Sequence, residues 1–216
     1  FRMELIGLIQ ENTIRVPLVG LFNIYNALAA IKVTGAFGVT LETAGKALRN
    51  LAPIAGRVEH FESARGAKKH VTAIVDYAHT VDSLEKLYQA FENRSKVCVL
   101  GNTGGGRDTW KRPEMAALAE KYCDHVILTD EDPYDEPPQQ IIADMEKGIT
   151  DKEKLTVIMN RREAIRAAVS LAQDDGYVLI SGKGTDPYIM RANGEKEPWS
   201  DAEVVKEILK ELNEVA

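Results

Sequence analysis

The chain has 216 residues, 44% of them hydrophobic and 28% charged, a composition that fits one large globular domain or two small ones. Its 33 acidic against 27 basic side chains leave a net charge of -6, which repels a polyanion on average and argues against a nucleic-acid partner. No stretch reaches the roughly eighteen consecutive apolar residues of a membrane span, so no membrane partner is expected.

The chain opens on FRMEL, which reads as the inside of a strand, so a piece of a longer protein is expected. FRMELIGL and TIRVPLVG are β-like, and FNIYNALAAIKVTGAF and ETAGKALRNL are helical. The linker LAPIAG, with Pro53 and Gly56, closes this segment. About fifty-five residues bury too little apolar surface to fold alone, so residues 1–55 are expected to be the end of a preceding domain.

From His70 onward an apolar, β-rich run and a helical stretch alternate. HVTAIVDYAH (70–79) reads as a strand, followed by a helix over about 80–94. KVCVLGN (96–102) is the second strand, and Pro113 opens a helix to about Tyr122. HVILTD (125–130) is the third, with a helix from Pro137–Pro138 to about Gly148. LTVIM (155–159) is the fourth, backed by RREAIRAAVSLA; YVLISGKG (177–184) is the fifth, and the amphipathic SDAEVVKEILKEL ends the series. Short strands separated by helices, without strict polar alternation, predict an α/β fold: a Rossmann-like, doubly wound, mostly parallel sheet over residues 56–216. The two cysteines, Cys98 and Cys123, have no CxxC spacing and read as buried thiols in a reducing, cytoplasmic setting.

In such sheets ligands bind beyond the carboxyl ends of the strands. Four of these ends carry polar residues: Asp76 and His79, Asn102 to Asp108, Asp130 to Asp135, and Gly182 to Asp186. Alone, each admits a purely structural role. The glycines of GNTGGG can turn the chain, Asp76 can cap a helix, TDEDPYDE can be a solvated turn, and GKGTD can be a turn or an anion nest. The glycine-rich loop lacks the Gly-Lys-Ser/Thr ending of a nucleotide P-loop.

Taken together, GRVE (56–59), VDYAHTVDSLE (75–85), GGGRDTWKRP (104–113), TDEDP (129–133), NRREAI (160–165) and SGKGTD (181–186) resemble, in order, the motifs of the carboxy-terminal domain of the Mur ligases, the MurE type above all. FNIYNALAA (22–30) resembles the end of that family's central ATPase domain. The resemblance implies an ATP-dependent ligase of cell-wall peptidoglycan biosynthesis. It adds a diamino acid to UDP-N-acetylmuramoyl-dipeptide through an acyl phosphate. The P-loop and the Mg2+ ligands belong to the central domain, so the chain alone is expected to be inactive and to bind no metal itself.

The resemblance also implies site roles. Asn23 and Asn26 border the adenine pocket, Arg57 reaches the phosphates of ATP as the catalytic cation, Asp76 meets the ribose, and His79 lies beside the nucleotide. Arg107 grips the α-carboxylate of the incoming amino acid. Lys111 and Arg112 complete a basic rim or serve packing or domain closure. The MurE pattern Asp-Asn-Pro-Arg is here Glu131, Asp132, Pro133 and Tyr134, so the arginine for a distal carboxylate is replaced. An acidic pocket built from Asp132, Asp135 or Glu136, with Asp186, beside the amino-acid-binding Tyr134 and Gly182, then suits a distal ammonium, favouring L-lysine over diaminopimelate. Asp186 and Thr185 stand where the family's Gly-Lys-Gly-His-Glu has Glu and His. The alternatives are a cyanophycin synthetase or folylpolyglutamate synthase type of ligase, and a non-catalytic amino-acid-binding module.

Overall fold

The computed structural model describes residues 14–64, 66–106 and 108–214. They form two compact units divided between Ile54 and Ala55.

The first unit holds helices α1 (Leu21–Ala36) and α2 (Leu41–Arg49). Thr40 caps α2, its side chain accepting from the Thr43 N–H. FRMELIGL lies outside the described residues. Within TIRVPLVG, residues 14–20 are not a strand as expected. They alternate in burial like one, but Ile14 and Val16 pack against Ala27 and Ile31 without a sheet ladder.

The second unit is a six-stranded mixed sheet. In chain order its strands are β1 (Glu59–Glu62), β2 (Val71–Asp76), β3 (Lys96–Leu100), β4 (His125–Leu128), β5 (Leu155–Val157) and β6 (Gly176–Ser181). Their spatial order is β1-β2-β6-β3-β4-β5, all parallel except the edge strand β1. Helices α3 (Val81–Gln89), α4 (Lys111–Tyr122) and α5 (Pro138–Glu146) neighbour one another on one side. Helices α6 (Arg161–Leu171) and α7 (Asp201–Glu214) pack together with the sheet, where Val71, Val99, Val178, Ile165 and Val205 share one apolar cluster. The sheet is therefore covered on two faces, which is why β2 and β3 are buried at every residue.

Local signals set the helix starts. Thr80 and Ser83 make a reciprocal capping box at α3, and Asn160 caps α6 through the Glu163 N–H. Helix α4 begins at Lys111, two residues before the expected Pro113, because a proline in a first turn removes an N–H that would lack a helical partner anyway. At the carboxyl edge of the sheet, where it also reaches the backbone oxygens of Asp130 and Ser181, Arg161 forks onto Asp201 with two 2.8 Å bonds, and Trp199 Nε1 donates to the same carboxylate. This fully buried pair joins the starts of α6 and α7.

Three features were not expected from the sequence. The antiparallel edge strand β1 is one. A second is the hairpin of β7 (Tyr188–Met190) and β8 (Lys196–Pro198), which follows β6 where the sequence suggests a direct run into the last helix. The third is a disulfide: Cys98 and Cys123 are bonded, with Cα atoms 6.1 Å apart, and are not the free thiols expected. The βα connection returns the residue after α4 to the flank of β3, a proximity that a sequence separation of 25 does not reveal.

Candidate functional site

The ends of β2, β3, β4 and β6 are adjacent at the carboxyl edge of the sheet, so their loops share one crevice. At the β2 end, Asp76 is buried, and its oxygens accept the N–H groups of Val58 and Ala78, both at 2.8 Å. Burial is the main influence on its carboxyl and raises its pKa; the two amides and Arg57 oppose this. Asp76 thus straps down the Gly56–Val58 turn, where Gly56 and Val58 both have positive φ. Exposed Arg57 follows from this strap. Its guanidinium lies 4.8 Å from the Tyr77 ring centroid, and that ring meets His79 edge-on at 4.9 Å.

The β6 loop closes against the same turn. A Cβ on Gly184 would fall 2.7 Å from Tyr77 Cβ, and one on Gly56 would fall 2.6 Å from the backbone of Gly184. These two glycines let the Arg57 turn, Tyr77 and the GKGTD segment pack together. Three expected nucleotide-side residues, Arg57, Asp76 and His79, and one expected amino-acid-side residue, Gly182, are thereby brought to one end of the sheet. Asn23 and Asn26 belong to the first unit. There Asn23 Nδ2 donates to Val19 O at 2.8 Å and Asn26 Nδ2 to Asn23 Oδ1 at 3.4 Å, while neither side chain caps α1.

The glycine-rich loop follows β3. Arg107 lies outside the described residues, but the loop leading to it is placed. Asn102 is buried and donates to Met115 Sδ. The Gly104 N–H donates to Asp132 O at 2.8 Å, and a Cβ on Gly104 would lie 2.1 Å from Pro133 O. Gly105 and Gly106 both take positive φ, and the Gly106 N–H donates to Glu136 Oε2 at 3.2 Å. Of the roles expected for Arg112, the basic rim is not what the structure shows and packing is: it is fully buried and forks onto Glu136 at 2.6 and 2.8 Å, with Asp144 at 3.0 Å. Lys111 reaches the backbone oxygen of His79.

The acidic segment after β4 departs most from the sequence reading. Asp132 is not a free anion facing a ligand: its oxygens take Lys183 Nζ at 2.9 and 2.8 Å, and Oδ1 also takes the Met190 N–H. Asp130 pairs with Arg191, Asp135 accepts the Asn193 N–H, and Glu136 holds Arg112. Each expected pocket acid is thus matched by a donor, because this segment ties the hairpin, the β6 loop and the glycine loop together. Tyr134 is half-buried with φ 52, its N–H donating to Met190 O. Asp186 is half-buried and 3.6 Å from Lys183 Nζ.

Sequence reading missed Glu131, which lies inside the crevice. It is buried, accepts from Thr103 Oγ1 at 3.2 Å, and fills a notch left by two glycines. A Cβ on Gly182 would come within 2.1 Å of its Oε2, and one on Gly101 within 2.6 Å of its Cβ. Burial pushes its carboxyl pKa up, with Arg161 the chief opposing charge. The sequence signal for it is its place at the head of the Asp-Asn-Pro-Arg pattern, where an acid is kept. Among the described residues no three His, Cys, Asp or Glu side chains converge as a metal cage, and no helix is long and apolar enough to cross a membrane.

Residues 56–184 match the family model described as "Mur ligase, glutamate ligase domain". The chain is 39% identical over 216 residues to a UDP-N-acetylmuramoyl-L-alanyl-D-glutamate–2,6-diaminopimelate ligase of Caldanaerobacter subterraneus subsp. tengcongensis, covering 98% of this chain and 43% of the relative. A solved structure of a ligase with that name superposes with a TM-score of 0.67 at 31% identity, over 94% of this chain and 41% of the other. A folylpolyglutamate synthase of Mycobacterium tuberculosis shares the fold, with a TM-score of 0.58 at 23% identity, over 78% of this chain and 39% of the other.

Proposed function

The chain belongs to the Mur ligase family, and on that premise we propose that it is the carboxy-terminal part of a MurE-type, ATP-dependent ligase, preceded in residues 1–55 by the end of the central domain. It spans about two fifths of the length of the curated relatives it matches. The whole protein's reaction is the addition of a diamino acid to UDP-N-acetylmuramoyl-dipeptide in the cytoplasm, for cell-wall peptide synthesis. A precursor carboxylate oxygen takes the γ-phosphoryl group of ATP, releasing ADP. The amine nitrogen of the amino acid then bonds to the acyl carbon, losing a proton as phosphate leaves.

This chain's share is positioning and charge neutralisation. Arg57, steadied by Tyr77 and by the Asp76 strap, is an exposed guanidinium suited to phosphate oxygens. Asp76 keeps lone pairs for a ribose hydroxyl beside the two amides it already holds, and His79 lines the same end. Asn23 and Asn26 are assigned to the adenine side. Arg107 is assigned the α-carboxylate, and Gly182 and Asp186 are assigned to the same amino acid. Mg2+ is assigned to the part of the protein that precedes this chain. The observation that carries the reading is the packing of Gly56 and Gly184 around Tyr77, which brings the Arg57 turn to the β6 loop.

L-lysine is the favoured amino acid. The preference rests on Tyr134 in place of an arginine and on half-buried Asp186; Asp132 no longer contributes, since Lys183 neutralises it. Diaminopimelate is the second reading, favoured by the names of the relatives. The test is an amino-acid panel with the full-length ligase, ATP and the UDP-linked dipeptide. Arg107→Ala is expected to raise KM for the amino acid and leave KM for ATP nearly unchanged; equal damage to both would remove the assignment.

A further inference from the structure

The glycine loop carries no apolar anchor between Thr103 and Asp108, yet its backbone is held at a definite place. Two groups of one neighbouring segment hold it: Asp132 O takes the Gly104 N–H, and Glu136 Oε2 takes the Gly106 N–H. Glu136 is a side chain and must itself be fixed. Arg112 fixes it, with a planar fork onto both oxygens at 2.6 and 2.8 Å. Arg112 is in turn braced by Asp144 from α5, and its side chain is 1% exposed, so it has no freedom to meet a ligand itself.

We propose that Arg112 and Glu136 are a positioning pair for the ligase reaction: Arg112 from the first turn of α4 and Glu136 from the connection after β4 set the backbone of Gly104–Gly106, and so the amino-acid-binding loop, without touching substrate. Only Glu136 touches the loop, and Arg112 acts through it. Arg112 lies six residues after Gly106 in the chain, and Glu136 reaches over from the β4 connection. The Arg112 fork is also the main influence holding the Glu136 carboxyl below its usual range, so the acceptor offered to Gly106 is an anion at neutral pH. A charged acceptor bonds an amide more strongly than a neutral one. Two consecutive glycines at positive φ have wide conformational freedom, which makes an external clamp necessary for a loop that must present one geometry.

The inference rests on the amino-acid site proposed above, and its test separates the two. In the full-length ligase, Glu136→Ala is expected to raise KM for the amino acid roughly tenfold, with KM for ATP unchanged. On an Arg107→Ala background it is expected to add nothing further, since the pair acts through that loop. Arg112→Lys, which keeps charge but not the fork, should fall between wild type and Glu136→Ala. A readout independent of catalysis is amide hydrogen exchange, which should accelerate at Gly106 in Glu136→Ala. If Arg107→Ala leaves KM for the amino acid unchanged while Gly106 exchange accelerates in Glu136→Ala, the substrate assignment fails and the clamp stands. Unchanged Gly106 exchange overturns the clamp, as does an equal rise in KM on both backgrounds. Should Glu136→Ala not fold, Glu136→Gln, of the same shape but uncharged, gives the same comparisons with smaller changes.

Discussion

Lys183 Nζ lies 2.9 and 2.8 Å from the two oxygens of Asp132, inside the crevice, with both side chains withdrawn from solvent. Removing the cation alone leaves a buried carboxylate with only the Met190 amide for compensation. Lys183→Met is therefore expected to lower unfolding stability by about 3 kcal/mol in urea titrations, and adding Asp132→Asn to recover much of that loss. A free, ligand-facing Asp132 would instead show little change in the single variant.

Neighbouring glycines should differ in their tolerance of a methyl group. Gly105 has φ 80 and open space around it, so Gly105→Ala should cost about 1 kcal/mol of backbone strain. Gly104→Ala drives a Cβ to 2.1 Å from Pro133 O, a backbone atom that cannot swing aside, and should cost about 3 kcal/mol. Thermal melts of the two variants check the order, and a reversed ranking would contradict the described loop.

Glu131 makes stability depend on pH. Its folded pKa is raised by burial above the ordinary 4.5. Its contribution to stability is thus fully present below that value and is lost as pH rises through the folded pKa. Glu131→Gln does not titrate. Urea midpoints measured from pH 4.5 upward should show wild type losing ground relative to Glu131→Gln. Parallel curves would mean that the carboxyl is not desolvated.

Tyr134 occupies the place of the arginine that the diaminopimelate pattern carries. Tyr134→Arg in the full-length ligase should improve the use of diaminopimelate relative to lysine by roughly tenfold in kcat/KM, since it supplies a cation for a distal carboxylate. An unchanged ratio would show that side-chain selection lies elsewhere, with Arg191, across the same segment, the next residue to replace.

The alternation of apolar runs and helices was readable because each βα unit carries its own local signal: the Thr80 and Asn160 caps and the fully apolar centre of β3 are examples. The edge strand and the hairpin were not readable. Glu59–Glu62 has only four residues, with Phe61 the single apolar one, and Lys196–Pro198 is exposed throughout, so both depend on partners distant in the chain or on a turn. In the site, motif order pointed to Arg57, Asp76, His79 and the glycine loop. It gave no pairing, and acids that look free in TDEDPYDE are matched by Arg112, Lys183 and Arg191, which come from three other segments. Charge along a sequence counts residues; their compensation is decided by topology.

The placement of β6 between β2 and β3 also bears on biosynthesis. A ribosome completes β2, β3, β4 and β5 before residues 176–181 emerge. Until then β2 and β3 have no strand to join them, and each displays an unsatisfied row of amides and carbonyls. Closure therefore waits on the last of the sheet's six strands to be made, and nascent chains stalled before Gly176 are natural clients for chaperones and proteases.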